Sequence, residues 1–367
     1  MSYTTLTINP DILKWAREES GYELFEIAKK LDISEERYKQ WEIEGRNIPL
    51  GKLKTLSGTF KRQLAVFLLP ETPNKVAKPH DYRNLNPVDS RFSKKVLEAI
   101  RNVNYFCETA QELQGVNYWE QRYQWMSEAK SLLQDGHYPI HYLRDLINIS
   151  IDDQLKFKSD SDAFRLWRNA FEDRLGILVF QFAMPIKEVE GFCLMNILPY
   201  AIVVNSNYPY THRIFTLFHE LAHILHNQSG ICLHDKVDVK QKEEWSCNEF
   251  AGNFLAPDAL IEQTDDLKVI SYYASRLNIS REAYLRRMKE EQKISSFKFF
   301  KILEQIKATY SPPKKTKGFV KPEVKSRACR GETLYSMVLE AMYNNRISYT
   351  QAASILNLNL NRLLNAV

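Results

Sequence analysis

The run Phe215-Thr216-Leu217-Phe218-His219-Glu220-Leu221-Ala222-His223-Ile224-Leu225 decides how the chain is read. Its apolar residues fall nearly all round a helix, and a helix of that kind is buried. His219 and His223 are four apart, so on a helix they leave one face about 6 Å apart along the axis. Two imidazoles so placed can reach one zinc ion at ~2.0–2.1 Å. Glu220 follows His219, and its carboxylate can reach a metal-bound water without being a ligand, which is the geometry of HExxH chemistry. The competing reading, two surface histidines on a helix, fits poorly with flanks so apolar.

A catalytic zinc needs a third protein ligand and an open position. Five of the eight histidines, His212, His219, His223, His226 and His234, fall in this part of the chain. Six residues past His223 stands Ser229, which removes a third histidine at that spacing. Residues 242–251 are the better source. Glu244 and Asn248 are four apart on one helical face, so Glu244 can close a His/His/Glu site and Asn248 can hydrogen-bond a ligand. Glu243 and Glu249 are rivals expected on a solvated face, and His234 is a rival in a loop after Gly230. His226 lies on the same side as His223, where it could line a cleft but would be crowded as a ligand.

Outward from this centre the chain divides by pattern. Residues 1–70 read as short helices: one opening at Pro10, one through Leu24, Ile27, Ala28 and Leu31, and one capped by Ser34 and ending near Gly45. Two short helices on a three-residue turn are the helix-turn-helix pattern. Residues 71–160 read as a linker and helical connector. Residues 161–310 hold a helix over 163–175, three short apolar runs at 177–182, 192–195 and 201–204 that predict a small sheet, then long helices. Residues 311–330 carry Lys314, Lys315, Lys317, Lys321, Lys325, Arg327 and Arg330 against Glu323 and read as an exposed basic linker. Residues 331–367 read as a C-terminal helical segment. The fold class expected is α+β, mostly helical.

Composition narrows the setting. Of 367 residues, 44% are hydrophobic and 26% charged, enough to bury a core. Five cysteines without a CxxC pair predict free thiols rather than a disulfide framework. The N-terminus is neither basic nor long and apolar, so no signal peptide is expected; no segment predicts a membrane span. The expectation is a cytoplasmic protein with no membrane partner.

The residues 202–205, 213–223 and 244–251, with Leu255 and Pro257, resemble the ImmA/IrrE family of zinc metallopeptidases over about residues 160–290. The segment 9–17 with Trp41-Glu42 and residues 65–70 resembles the Xre-type helix-turn-helix domain fused to long members of that family. The resemblance implies a thermolysin-like, gluzincin-type minimal metallopeptidase domain that cleaves repressor proteins. Cys247 stands where the family usually has Ala, and Asn253 and Ala256 replace more typical apolar residues; none of these is expected to touch a ligand.

The chemistry expected is Zn2+ held by His219, His223 and Glu244, with Glu220 as the general base that takes a proton from water and returns it to the leaving amine. His226, His234, Tyr210 and Arg213 are candidates for a second oxyanion donor. The expected partner is a protein substrate, an Xre-type repressor in a stress or mobile-element response. DNA is a further expected partner, through residues 1–70 and the basic segment 314–330. Against this, residues 1–70 balance 11 basic with 10 acidic groups, and the second helix of the motif opens on Glu35 and Glu36. The alternative functions are a DNA-binding transcriptional regulator, or a toxin–antitoxin or phage-defence component in which the peptidase fold acts as a sensor.

Overall fold

The computed structural model describes residues 4–73, 80–81, 92–227, 230–232, 241–309 and 320–365. It divides into two compact units, residues 1–78 with 85–102, and residues 79–84 with 103–367.

In the first unit β1 (Thr5–Leu6) pairs antiparallel with β2 (Ile48–Pro49), which bracket three helices, and a fourth follows: α1 (Pro10–Glu19), α2 (Leu24–Leu31), α3 (Glu35–Glu44) and α4 (Leu50–Phe60). Each boundary has a local cause. Asn9 caps α1 through Asp11 N, with Pro10 at its first position. Asp32 turns left-handed at φ 52° to end α2, and Ser34 Oγ accepts from Arg37 N to start α3. Ile12, Leu13, Ile27, Tyr38, Leu53 and Phe60 form the core. Arg17 grips Glu42 through two hydrogen bonds, 2.8 and 3.1 Å, and so ties α1 to α3.

The second unit is built on a mixed five-stranded sheet ordered β3-β7-β5-β6-β4, with β3 at His80–Asp81, β4 at Leu178–Phe182, β5 at Gly191–Leu194, β6 at Ala201–Asn205 and β7 at Gly230–Cys232. β4 runs parallel to β6, and β5 antiparallel to both β6 and β7. The three runs read as strands in the sequence are β4, β5 and β6. The helix α5 (Lys94–Gln114), whose residues up to 102 belong to the first unit, and α6 (Val116–Arg122), α7 (Trp125–Gln134), α8 (Ile140–Ile147), α9 (Ile151–Gln154) and α10 (Asp160–Ala170) precede β4. Residues taken as a connector do more than connect: Trp125, Met126, Leu143 and Ile147 lie in one core with Trp167, Phe218 and Phe254.

The helix α11 (Tyr210–Leu225) packs on β5 and β6, and α12 (Gln241–Leu255) packs on α11. Then come α13 (Leu267–Arg276), α14 (Arg281–Glu290) and α15 (Ser296–Ala308), followed by α16 (Pro322–Arg330), α17 (Glu332–Tyr343), α18 (Tyr349–Leu356) and α19 (Leu360–Asn365). The described part of the expected basic linker is thus helical from Pro322. Its charges are not all solvated, because Arg330 Nε donates to Ile355 O at 2.6 Å and Ser326 Oγ to Leu356 O at 2.5 Å, satisfying carbonyls at the end of α18. The remaining linker lysines, Lys314, Lys315 and Lys317, lie outside the described residues. Among the described residues no helix is long and apolar enough to cross a membrane.

A buried ion pair joins the sheet edge to these last helices. Arg168 Nε meets Glu172 Oε1 at 3.1 Å with both side chains buried. Arg168 also donates to Val179 O and Ala328 O, and Glu172 accepts from Thr333 N at 3.0 Å. Burial pushes the Glu172 carboxyl up, and Arg168 opposes that shift. Removing one partner strands the other charge. Arg168→Met is expected to destabilise the protein by about 3–5 kcal/mol, measured by urea denaturation.

Candidate metal centre

The residues His219, Glu220 and His223 on α11 are all fully buried. Burial of such groups in an apolar helix demands partners, and α12 supplies them to the two histidines. Glu244, Cys247 and Asn248 stand at positions i, i+3 and i+4 and so form one stripe along it. Glu244 Oε2 lies 3.3 Å from His219 Nε2, and Glu244 Oε1 lies 3.3 Å from His223 Nε2. The two Nε2 atoms are 3.1 Å apart. Burial works to raise the Glu244 carboxyl, but hydrogen bonds to His219 and His223 outweigh it and hold it far below the usual carboxylate range.

The outer ring nitrogens are held as well. His219 Nδ1 meets Asn248 Oδ1 at 3.0 Å. That oxygen only accepts, so Nδ1 carries a proton; Nε2 faces Glu244, where a protonated nitrogen bonds the carboxylate and a deprotonated one would be free to hold an ion. His223 Nδ1 meets Cys247 Sγ at 3.6 Å. The expectation that Cys247 would touch no ligand is therefore corrected: three residues past Glu244 on a helix is the same face. Burial pushes the Cys247 thiol up.

The donor set fits a metal ion. One ligand atom from each of His219, His223 and Glu244 lies within 4.8 Å of the others. Ligand distances of ~2.0–2.1 Å define a tetrahedron with edges of ~3.3 Å, and the closest separations here are 3.1 and 3.3 Å. Two nitrogens and one carboxylate are ligands that zinc accepts.

The rival residues are placed elsewhere. Glu243 is exposed. Glu249 accepts from Tyr138 Oη at 2.6 Å, and burial together with that carboxylate pushes the Tyr138 hydroxyl up to about 12. His234 lies outside the described residues. His226 Nε2 meets Ser246 Oγ at 3.3 Å, and burial lowers the pKa of its ring. Arg213 is engaged with the loop before α11 and with β4. Its guanidinium donates to Tyr208 O at 2.7 Å, Ser206 O at 2.7 Å and Gln181 Oε1 at 2.9 Å, and lies over the Tyr210 ring. Tyr210 also packs against Phe164.

Sequence reasoning missed two features. His212 Nε2 meets Glu190 Oε2 at 2.7 Å, with the His212 ring stacked on Tyr208. Gly191 follows Glu190, and a Cβ there would sit 2.4 Å from Thr216 Cγ2, 2.8 Å from Val203 O and 3.3 Å from Glu220 Oε1. No local signal marks either, since each joins strand to helix across more than twenty residues.

Residues 172–289 match the model of the peptidase M78 family, described as the IrrE N-terminal-like domain. That stretch contains His219, Glu220, His223 and Glu244 and supports a metallopeptidase-like function for this part of the chain. No curated protein and no solved structure matches the chain.

The close approach of β5 to α11 has a measurable consequence. Gly191→Ala should cost about 1–3 kcal/mol through overpacking, read as a lower midpoint in thermal melting. Retention of the wild-type midpoint would show that the strand does not press on Thr216.

Proposed function

We propose that the second unit is a zinc-dependent endopeptidase whose substrate is a repressor or another regulatory protein. The observation that carries the reading is the convergence of two imidazole nitrogens and a carboxylate at 3.1–3.3 Å in a buried setting. Three electron-rich groups so placed repel one another unless a cation or protons lie between them. His219, His223 and Glu244 would hold the ion, with Asn248 and Cys247 orienting the rings from behind. When bound, zinc supplies Lewis acidity toward a peptide carbonyl and acidifies a water molecule. Glu220, next in sequence to His219, would serve as the general base that accepts a proton from the attacking water and returns it to the leaving amine.

The first unit supports recruitment. Its α2 and α3 are joined by a left-handed turn and a Ser34 cap, which supports the reading as an Xre-type helix-turn-helix, yet α3 opens on Glu35 and Glu36, both exposed. Acidic groups there disfavour phosphate and leave pairing with a repressor of the same fold as the role. Such pairing raises the local concentration of substrate, so a weak cleft still cuts selectively.

Three outcomes test this. Glu220→Gln should keep its zinc and lose cleavage by roughly 10²–10⁴-fold. For zinc affinity, measured by competition with a chelator, Asn248→Ala should cost about 10–100-fold. Glu244→Ala should cost more, and Glu243→Ala and Glu249→Ala should cost nothing; a zinc-free wild type, or a cleaving Glu220→Gln, ends the proposal. Deleting residues 1–70 should leave zinc content unchanged while cleavage of the repressor at low enzyme concentration falls; unchanged cleavage would remove recruitment.

A further inference from the structure

Among the described residues the chain turns the same corner four times. At Asn148-Ile149-Ser150, between α8 and α9, the second N–H returns to Arg144 O at 3.4 Å, and in the other three it returns to an alanine. In those three α2 meets α3 at Asp32-Ile33-Ser34, α13 meets α14 at Asn278-Ile279-Ser280, and α18 meets α19 at Asn357-Leu358-Asn359. The first residue of each is left-handed, with φ of 52°, 54° and 50°. The N–H of the second reaches back to an alanine carbonyl: Ile33 to Ala28 at 3.1 Å, Ile279 to Ala274 at 3.0 Å, Leu358 to Ala353 at 2.9 Å. The third caps the next helix, Ser34 accepting from Arg37 N at 3.2 Å, Ser280 from Ala283 N at 3.0 Å and Asn359 from Arg362 N at 2.9 Å. A buried leucine precedes each of these three corners (Leu31, Leu277, Leu356), and a buried Tyr38, Tyr284 or Leu363 anchors each second helix. Two short helices joined this way form a helix-turn-helix.

What differs is the surface. In α14 the residues Tyr284, Leu285, Arg287 and Met288 are buried, and Arg287 is spent on Ala256 O, Glu290 and Glu291. In α3 the exposed first turn is acidic, as described above. The last corner has neither feature. Residues 341–367 contain no Asp or Glu. Gln351, Asn357, Asn359 and Asn361 are exposed there, and so is Arg346. Beside this corner α16 and its N-cap expose Lys321, Lys325 and Arg327, the last paired with Glu332 at 2.7 Å, and Arg362 of α19 meets Glu323 of α16 at 3.5 Å.

Charge over the whole chain falls the same way. Of its 50 basic and 45 acidic groups, residues 314–367 hold nine and three, which leaves 41 and 42 for the rest. The entire positive excess therefore belongs to this segment, with six basic and three acidic groups in the described residues 321–365, and a clustered excess of that kind suits a nucleic-acid surface.

We propose that α16–α19 bind double-stranded DNA, with α19 as the groove-facing helix and the α16 lysines on phosphates. Amide side chains such as Asn361 suit the paired donor and acceptor of adenine in the major groove, and lysines neutralise phosphates. The proposal is independent of zinc and of peptide cleavage.

The test is fluorescence anisotropy of the full-length protein with a labelled random-sequence duplex of about 30 base pairs, from about 50 to 200 mM salt. Wild type should bind, and its affinity should fall with salt. Lys321→Glu with Lys325→Glu should weaken binding at least about tenfold and reduce the logarithmic salt slope by about 2, at ~0.9 for each phosphate that is no longer neutralised. Arg37→Glu with Lys39→Glu, an equal charge change on α3, should stay within about twofold of wild type. If the first pair lowers the melting temperature, Lys321→Gln with Lys325→Gln makes the same comparison. Absence of wild-type binding, equal losses from both pairs, losses confined to α3, or tighter binding of single-stranded RNA of the same length would each overturn the proposal.

Discussion

Full burial of His219, Glu220 and His223 is the constraint on which the second unit depends. Polar groups taken out of water are tolerated only when other groups meet them. The helix α11 is apolar nearly all round, so its few polar side chains must be answered by neighbouring elements. The α12 stripe of Glu244, Cys247 and Asn248 does this on one side. On another side the answer is an absence: Gly191 has no Cβ, and that lets β5 come close to Thr216 and Glu220. Aromatic packing of Trp167 on Phe218 at 5.0 Å, and of Phe218 on Phe254 at 4.4 Å, fixes the rotation of α11 about its axis. Rotation is what aims both imidazoles at one point.

The sheet carries a second requirement. β4 is an end strand of the order β3-β7-β5-β6-β4, and an open edge invites unwanted pairing. Here α16 packs against β4, and Gln181 Nε2 donates to Ala328 O at 2.9 Å. Behind that contact lies the Arg168–Glu172 pair. A buried pair of this kind is expensive, and its usefulness lies in the number of groups it satisfies. The backbone of Val179, Ala328 and Thr333 all bond to it. Strand, helix and the start of α17 thus share one polar junction, which makes the last helices part of the second unit.

What could be read from the sequence was local and periodic. The four-residue spacing of His219 and His223, and of Glu244 and Asn248, survives unchanged into the structure because helical geometry turns spacing directly into direction. The strands at 178–182, 191–194 and 201–205 announce themselves as apolar runs bounded by turns. Pairings between distant residues carry no such signal. Arg213 looked like a spare cation near the site, yet it holds the carbonyls of Ser206 and Tyr208. Glu249 looked like a candidate ligand, yet Tyr138 claims it from more than a hundred residues away. The α16 charges looked solvated because a count of charges says nothing about carbonyls waiting for a donor.

The three corners closed on an alanine show how far local sequence reaches and where it stops. A left-handed residue, an alanine four before it and a capping side chain two after it are enough to set two helices at a turn. Those choices are made within about a dozen residues, so the same corner arises in both units. They do not decide what the second helix meets. α14 lies behind α12, where its Arg287 must cap the Ala256 carbonyl, and its polar groups are consumed by the fold. α3 keeps an exposed acidic first turn, which repels phosphate. α19 keeps exposed amides in a stretch without a single carboxylate side chain. One backbone device therefore has three different surroundings, and the side chains that face outward, rather than the turn itself, determine what each can bind.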